Sequence, residues 1–146
     1  MTTIAYRNGE LAADTSTVAG GTRCGRIVKI VRGKRGELAA ACGGATYNAA
    51  FLRWVRGGRR GNPPKTGGDN SGDKGAVFFP NRRIEVFEGD GSFAFTADYY
   101  AIGSGRCEAL GAMFVGASAS LAVRASIAHD VNTHGEVVTL RHRCKK

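Results

Sequence analysis

The segment Tyr6-Arg7-Asn8-Gly9-Glu10-Leu11 sets an Asn-Gly pair between two strand-like runs, and no other feature limits the fold of this chain so tightly. Asn-Gly takes the type I′ turn, whose twist matches that of the flanking strands, so the segment predicts a two-residue hairpin. A loop of that length fixes the register. Arg7 then faces Glu10, Ala5 faces Ala12 and Thr3 faces Asp14. Turn geometry alone brings a carboxylate back beside the start of the chain. From the hairpin by itself, Asp14 reads as a strand-ending residue that caps a turn.

That start reads Met1-Thr2-Thr3-Ile4. Methionine removal favours a small second residue, so the mature chain is expected to begin at Thr2. An N-terminal Thr carries a nucleophile and a base in one residue, because its hydroxyl attacks while the free α-amine takes the proton. Such an amine titrates near pH ~7.7–8.0 and is therefore a competent base at neutral pH. Further along, Arg26-Ile27-Val28-Lys29-Ile30-Val31-Arg32 places a lysine inside a β-branched run that favours a buried strand. Lys29 either faces solvent, the commoner arrangement, or is paired inside, and Asp14 is then the available partner.

These segments resemble the proteasome β-subunit family, including the bacterial HslV-type peptidase. Thr2-Thr3-Ile4, Ala12-Ala13-Asp14 and Val28-Lys29-Ile30 match that family in order and approximate spacing. Ala41-Cys42-Gly43-Gly44-Ala45 looks like its glycine pair before the first helix, and Ile102-Gly103-Ser104-Gly105 like its Gly-Ser-Gly turn. Asp130-Val131-Asn132-Thr133-His134-Gly135 looks like its Asp-x-x-Ser-Gly-Gly turn, with Thr for Ser and His for the first Gly. The closing strand Val137-Val138-Thr139-Leu140 follows in place. Each motif is common singly, and the run of them spans nearly the whole chain.

The resemblance implies roles. Thr2 would be the nucleophile and its α-amine the base. Lys29 would hydrogen-bond the Thr2 hydroxyl, and Asp14 would hold Lys29 charged and oriented. The Gly43 N–H would form the oxyanion hole, and Ser104 and Asp130 would orient the α-amine with Thr133 in support. In this family backbone carbonyls near the last turn can hold a structural cation, here those around Ile127, Asp130 and Thr133; no cofactor is required. The implied fold is α+β, a four-layer αββα sandwich of the N-terminal nucleophile hydrolase type.

The coarse pattern agrees with α+β. Strands are expected at about 2–7, 10–14, 26–31, 37–42, 76–79, 83–88, 93–100 and 137–140, and helices at about 46–56, 106–115 and 118–129. The whole chain, 1–146, reads as one domain. Between its halves, Gly57 to Gly75 is rich in Gly, Pro and polar residues and is expected to be a flexible loop. Proteasome relatives usually carry a second long helix there, so the chain resembles a reduced member with a shortened helical layer. Lys65-Thr66 does not make a phosphate loop, because Pro64 stands where Gly is needed and has no N–H to give.

Composition closes off other classes. Hydrophobic residues make up 42% of the chain, which excludes wholesale disorder. No apolar run approaches a membrane span and no secretory leader is seen, so a cytoplasmic location is expected. Cys24, Cys42, Cys107 and Cys144 have neither ligand spacing nor C-x-x-C pairing, which suits reduced thiols; Cys42 and Cys107 are expected in the core. The net charge is +9, with Arg53, Arg56, Arg59, Arg60 and Lys65 clustered. Without interleaved aromatics for base stacking, the cluster reads as a solvated face rather than a nucleic-acid site.

The expected function is a threonine-type endopeptidase acting on polypeptides inside a homo-oligomeric ring, with an ATP-dependent unfoldase as a further partner that the resemblance allows. Apolar residues Ala112, Met113, Phe114, Val115, Ala119, Leu121 and Val123 would supply the ring contacts. The competing readings are an inactive proteasome-like scaffold and a small-amide hydrolase on the same fold.

Overall fold

A computed structural model describes residues 1–144 of the chain. The strands β1 (Thr3–Arg7) and β2 (Glu10–Ala13) form the expected hairpin, with Ala5 opposite Ala12 and Arg7 opposite Glu10. Asn8 and Gly9 take positive φ, 49° and 77°, as the type I′ turn requires. The Asp14 N–H then donates to the Thr3 carbonyl, so Thr3 and Asp14 are neighbours as the register demands.

A second hairpin follows, β3 (Ser16–Ala19) and β4 (Thr22–Arg26), turning at Gly20-Gly21. It corrects the expected strand at 26–31. Arg26 ends β4, residues 27–29 connect, and β5 is only Ile30–Arg32. The Ile27 N–H still donates to the Thr15 carbonyl, and beyond it Val28 is 58% exposed while Lys29 is buried. The Gly-Gly pair is itself a hairpin signal that the pattern reading passed over.

Strand β6 (Leu38–Cys42) leads into helix α1 (Ala45–Arg56), then β7 (Lys74–Phe78), β8 (Arg83–Glu88), β9 (Gly91–Thr96) and β10 (Tyr99–Gly103). Helices α2 (Arg106–Phe114) and α3 (Ala119–His129) and strand β11 (Val138–Arg141) complete the chain. The single strand expected over 93–100 is thus two strands that belong to different sheets. The break falls at Ala97-Asp98, where the Asp98 carboxylate pairs with Arg82 and the Ala97 N–H reaches the Arg82 carbonyl.

The sheets are antiparallel, one of order β10-β1-β2-β11 and one of order β5-β6-β7-β8-β9, beside the β3–β4 hairpin. One apolar cluster joins residues of both larger sheets: Ile4, Tyr6 and Leu11 from the first with Leu38, Phe78 and Ile84 from the second. Tyr6 stacks on Phe78 with ring centroids 4.6 Å apart, an arrangement that adds about 1 kcal/mol beyond area burial. A second cluster holds α1 against β6 and β7 through Phe51, Val55, Ala39 and Val77. A third holds α2 and α3 against β1 and β2 through Ala5, Ala12, Met113 and Val123. Small Ala residues on the strands let the helices approach closely. The Arg7 guanidinium donates to the carbonyls of Met113, in the last turn of α2, and Ala117, just past it, the latter at 3.1 Å.

Two further expectations are corrected. Cys107 lies exposed on α2 rather than in the core. Met113, Ala119 and Val123 are fully buried within the subunit, so the apolar residues left facing outward on this side are Phe114, Val115 and Leu121. Among the described residues no helix is long and apolar enough to cross a membrane.

Candidate active site

The hairpin β1–β2, the connector 27–29 and the turns after β6 and β10 converge on Thr2. Thr2 is 3% exposed, Asp14 0% and Lys29 1%. A buried ammonium needs a carboxylate partner, and the Lys29 Nζ lies 3.0 Å from each oxygen of Asp14. Its third contact is the Met1 carbonyl at 3.2 Å, on the peptide bond that precedes Thr2. Burial lowers the Lys29 pKa, and the Asp14 charge and hydrogen bonds act against that fall. Asp14 also accepts from the Thr3 N–H at 2.9 Å, and from the Ser16 hydroxyl and the His134 N–H, both at 3.3 Å. The carboxylate is therefore fixed from several sides and cannot turn away from Lys29.

A second network closes the other side of the chain start. The Ser104 hydroxyl lies 2.7 Å from the Asp130 carboxylate and 3.3 Å from the Thr2 carbonyl. The Thr133 hydroxyl is hydrogen-bonded to the same Asp130 oxygen and lies 2.7 Å from the Thr3 hydroxyl. Burial opposes ionisation of Asp130, but the hydroxyls of Thr133 and Ser104 and the Asn132 N–H outweigh it and hold its pKa below the usual carboxylate value. Gly103 permits this approach. It takes φ +100°, and a Cβ there would stand 1.9 Å from the Thr2 carbonyl oxygen.

Gly43 follows β6 at φ +105°, beside the same opening. A Cβ on it would meet the Asp73 carboxylate at 2.4 Å and the Asp73 Cα at 2.6 Å. Asp73 belongs to the Gly57–Gly75 segment, which contains no helix. Its carboxylate accepts from the N–H groups of Gly44 at 2.8 Å and Gly67 at 2.9 Å, and the Thr66 hydroxyl donates to the Gly89 carbonyl at 2.9 Å. The segment is thereby tied across the start of α1 and the β8–β9 turn. The basic cluster is likewise partly engaged: Arg59 pairs with Glu85 at 2.9 Å and lies over the rings of Trp54 and Phe87.

Thr2, Asp14, Lys29, Gly43, Ser104, Asp130 and Thr133 thus gather around one cavity of about 860 Å³, either lining it or standing directly behind it. Of the carbonyls considered for a cation, that of Asp130 already accepts from the Thr133 N–H, while Ile127 packs beside the α2–α3 cluster. Thr3 and Asp73 were missed from sequence. Thr3 was legible as the residue opposite Asp14, whereas nothing in the glycine-rich segment distinguishes Asp73 from Asp69. Cys42 lines the cavity too, and burial pushes its thiol up to about 11, so it stays protonated and is no rival nucleophile.

No family model matches the chain, and no curated protein does. Solved structures do. The Thiobacillus denitrificans protein BPH superposes with a TM-score of 0.68 at 20% identity, covering 99% of each chain. A second structure, Thiobacillus denitrificans BPH in complex with epoxomicin, gives a TM-score of 0.66 at 20% identity over 98% of this chain and 99% of that one. The chain shares the fold of BPH over nearly its whole length.

Proposed function

We propose that this chain is a threonine-type endopeptidase whose nucleophile is Thr2 after removal of Met1. The observation that carries the reading is the fully buried Lys29–Asp14 pair, which spends its remaining ammonium contact on the Met1–Thr2 peptide. A buried ion pair is a poor way to gain stability, but it places a fixed positive charge beside one hydroxyl amino acid. The BPH structure with epoxomicin, a proteasome inhibitor, supports a proteasome-like reading of the shared fold, and the three apolar clusters suit a four-layer αββα sandwich.

Loss of Met1 would free the Thr2 amine and release the Lys29 contact now made to the Met1 carbonyl. The Thr2 Oγ would then attack the substrate carbonyl carbon, its proton passing to the α-amine. Lys29 would favour the developing alkoxide, and the Gly43 N–H would receive the oxyanion. Collapse breaks the C–N bond. The leaving amine takes the proton from the α-ammonium, and an ester on Thr2 remains. Water, deprotonated by the same amine, would hydrolyse that ester and restore Thr2. Ser104 and Asp130 would hold the amine, with Thr133 holding Asp130.

Polypeptide substrates, a homo-oligomeric chamber in the cytoplasm and an unfoldase partner extend the proposal. Exposed Phe114, Val115 and Leu121 on α2 and α3 favour self-association. The test is turnover of a fluorogenic peptide. Thr2→Ala should abolish it without unfolding the chain, and Thr2→Ser should retain a fraction. Wild-type turnover in Thr2→Ala would exclude the mechanism.

A further inference from the structure

The cavity beside Thr2 has walls that do not share the charge of the chain. The protein carries a net charge of +9. Yet the cavity is lined by the carboxylates of Asp69, Asp73, Glu88 and Asp90 against Lys74, Arg106 and Met1, which carries the N-terminal amine. These carboxylates are not equivalent. Asp73 is consumed in the backbone bonds that pin its own loop. Glu88 pairs with Lys74 at 2.8 Å. Asp69 and Asp90 make no ion pair with any described residue. They come from different segments, Asp69 from the loop after α1 and Asp90 from the β8–β9 turn. Asp69 stands close against the backbone of Gly89, where an added Cβ would meet its Oδ1 at 2.6 Å.

Two exposed carboxylates that line one cavity from adjoining segments, neither in an ion pair, favour a ligand cation placed near both. Among the described residues no group of three His, Cys, Asp or Glu side chains is arranged to hold a metal ion. The cavity is also too large for an ion and is sized for an extended side chain with its flanking backbone.

We propose that this cavity selects substrates carrying a Lys or Arg side chain near the bond to be cut, with Asp69 and Asp90 receiving the cationic head. The inference rests on the peptidase reading, since it names the substrate class of that same site. Lys or Arg would run its apolar stem through the cavity and place its charge between the two segments. Glu88, already neutralised, would add little.

Three peptides identical except for Lys, Leu or Glu at the residue before the reporter serve as probes. Binding is measured by fluorescence anisotropy on Thr2→Ala, and turnover on the wild type. Asp69→Asn/Asp90→Asn is assayed in both backgrounds. The expected result is binding in the order Lys, Leu, Glu, with the Lys-to-Leu ratio about fivefold or more at low salt, as two partly solvated ion pairs would give. That ratio should fall towards one in the double variant and in 1 M salt. Equal binding of the three peptides, or a Lys preference that survives the double substitution, overturns the inference. The arms also separate it from the peptidase reading. Preferential binding of the Lys peptide without wild-type turnover upholds the subsite and removes the peptidase; turnover without preference does the reverse.

Discussion

Two carboxylates flank the start of this chain, and they are held in opposite ways. Asp14 is sealed from solvent and grips an ammonium. Asp130 is partly open and is bonded to hydroxyls, those of Ser104 and Thr133. The first arrangement delivers positive charge to one side of the Met1–Thr2 peptide. The second delivers a negative charge and an adjustable hydroxyl to the other side, next to the Thr2 carbonyl. A structural role would need only one such tether. Two tethers of opposite polarity on one residue suit a hydroxyl that must lose a proton and an amine that must gain one.

Breaking the buried pair should have the larger effect. Lys29→Ala strands Asp14 without a counter-charge, which costs about 3–5 kcal/mol of stability, and should lower turnover on the order of 10²-fold. Lys29→Arg should not restore activity, because a planar fork does not occupy the place of a compact ammonium. Stability and catalysis separate in Lys29→Met/Asp14→Asn. An uncharged pair of similar volume should recover part of the melting temperature lost in Lys29→Ala, the rest being withheld because Asn has one acceptor oxygen where Asp14 uses two, and none of the activity. Recovery of both would make the ion pair structural. The pH profile sharpens the same point. The folded pKa of Lys29 is lowered, so the catalytic charge should be lost as pH rises through that value. The alkaline limb of wild-type turnover should therefore begin below the ordinary lysine range.

The open tether should cost less. Ser104→Ala removes both the bond to Asp130 and the contact to the Thr2 carbonyl, but it leaves Asp130 with the Thr133 hydroxyl, so a fall in turnover of about tenfold is expected, with a stability loss of about 1 kcal/mol. A loss equal to that of Lys29→Ala would erase the distinction between the two sides. In stability, the sign for Asp130 is fixed by its lowered pKa. Its contribution is present above the ordinary carboxylate value and lost as pH falls through the folded one.

The site was more legible in the sequence than the path of the chain was. Asn8-Gly9 fixes where Asp14 must lie, because a two-residue turn leaves no choice of register. The pairing of Asp14 with Lys29 follows once Lys29 is inside, since a buried ammonium must find a carboxylate. Whether Lys29 is inside was not decided by its own β-branched neighbourhood, which serves a buried strand or a connector equally well. The strand that Phe93–Tyr100 suggests hides a change of sheet, because alternation is the same on both sides of Ala97-Asp98. The role of Asp73 depends on contacts made across the loop and has no local signature.

The central claim is that Thr2, once it heads the chain, is a nucleophile. Intact-mass analysis of the purified protein before and after incubation with epoxomicin tests it most directly. The account predicts a chain lacking Met1 that gains the mass of one inhibitor, with the adduct mapping to Thr2 by peptide sequencing and absent in Thr2→Ala. Full retention of Met1, or an adduct that persists in Thr2→Ala, would contradict it.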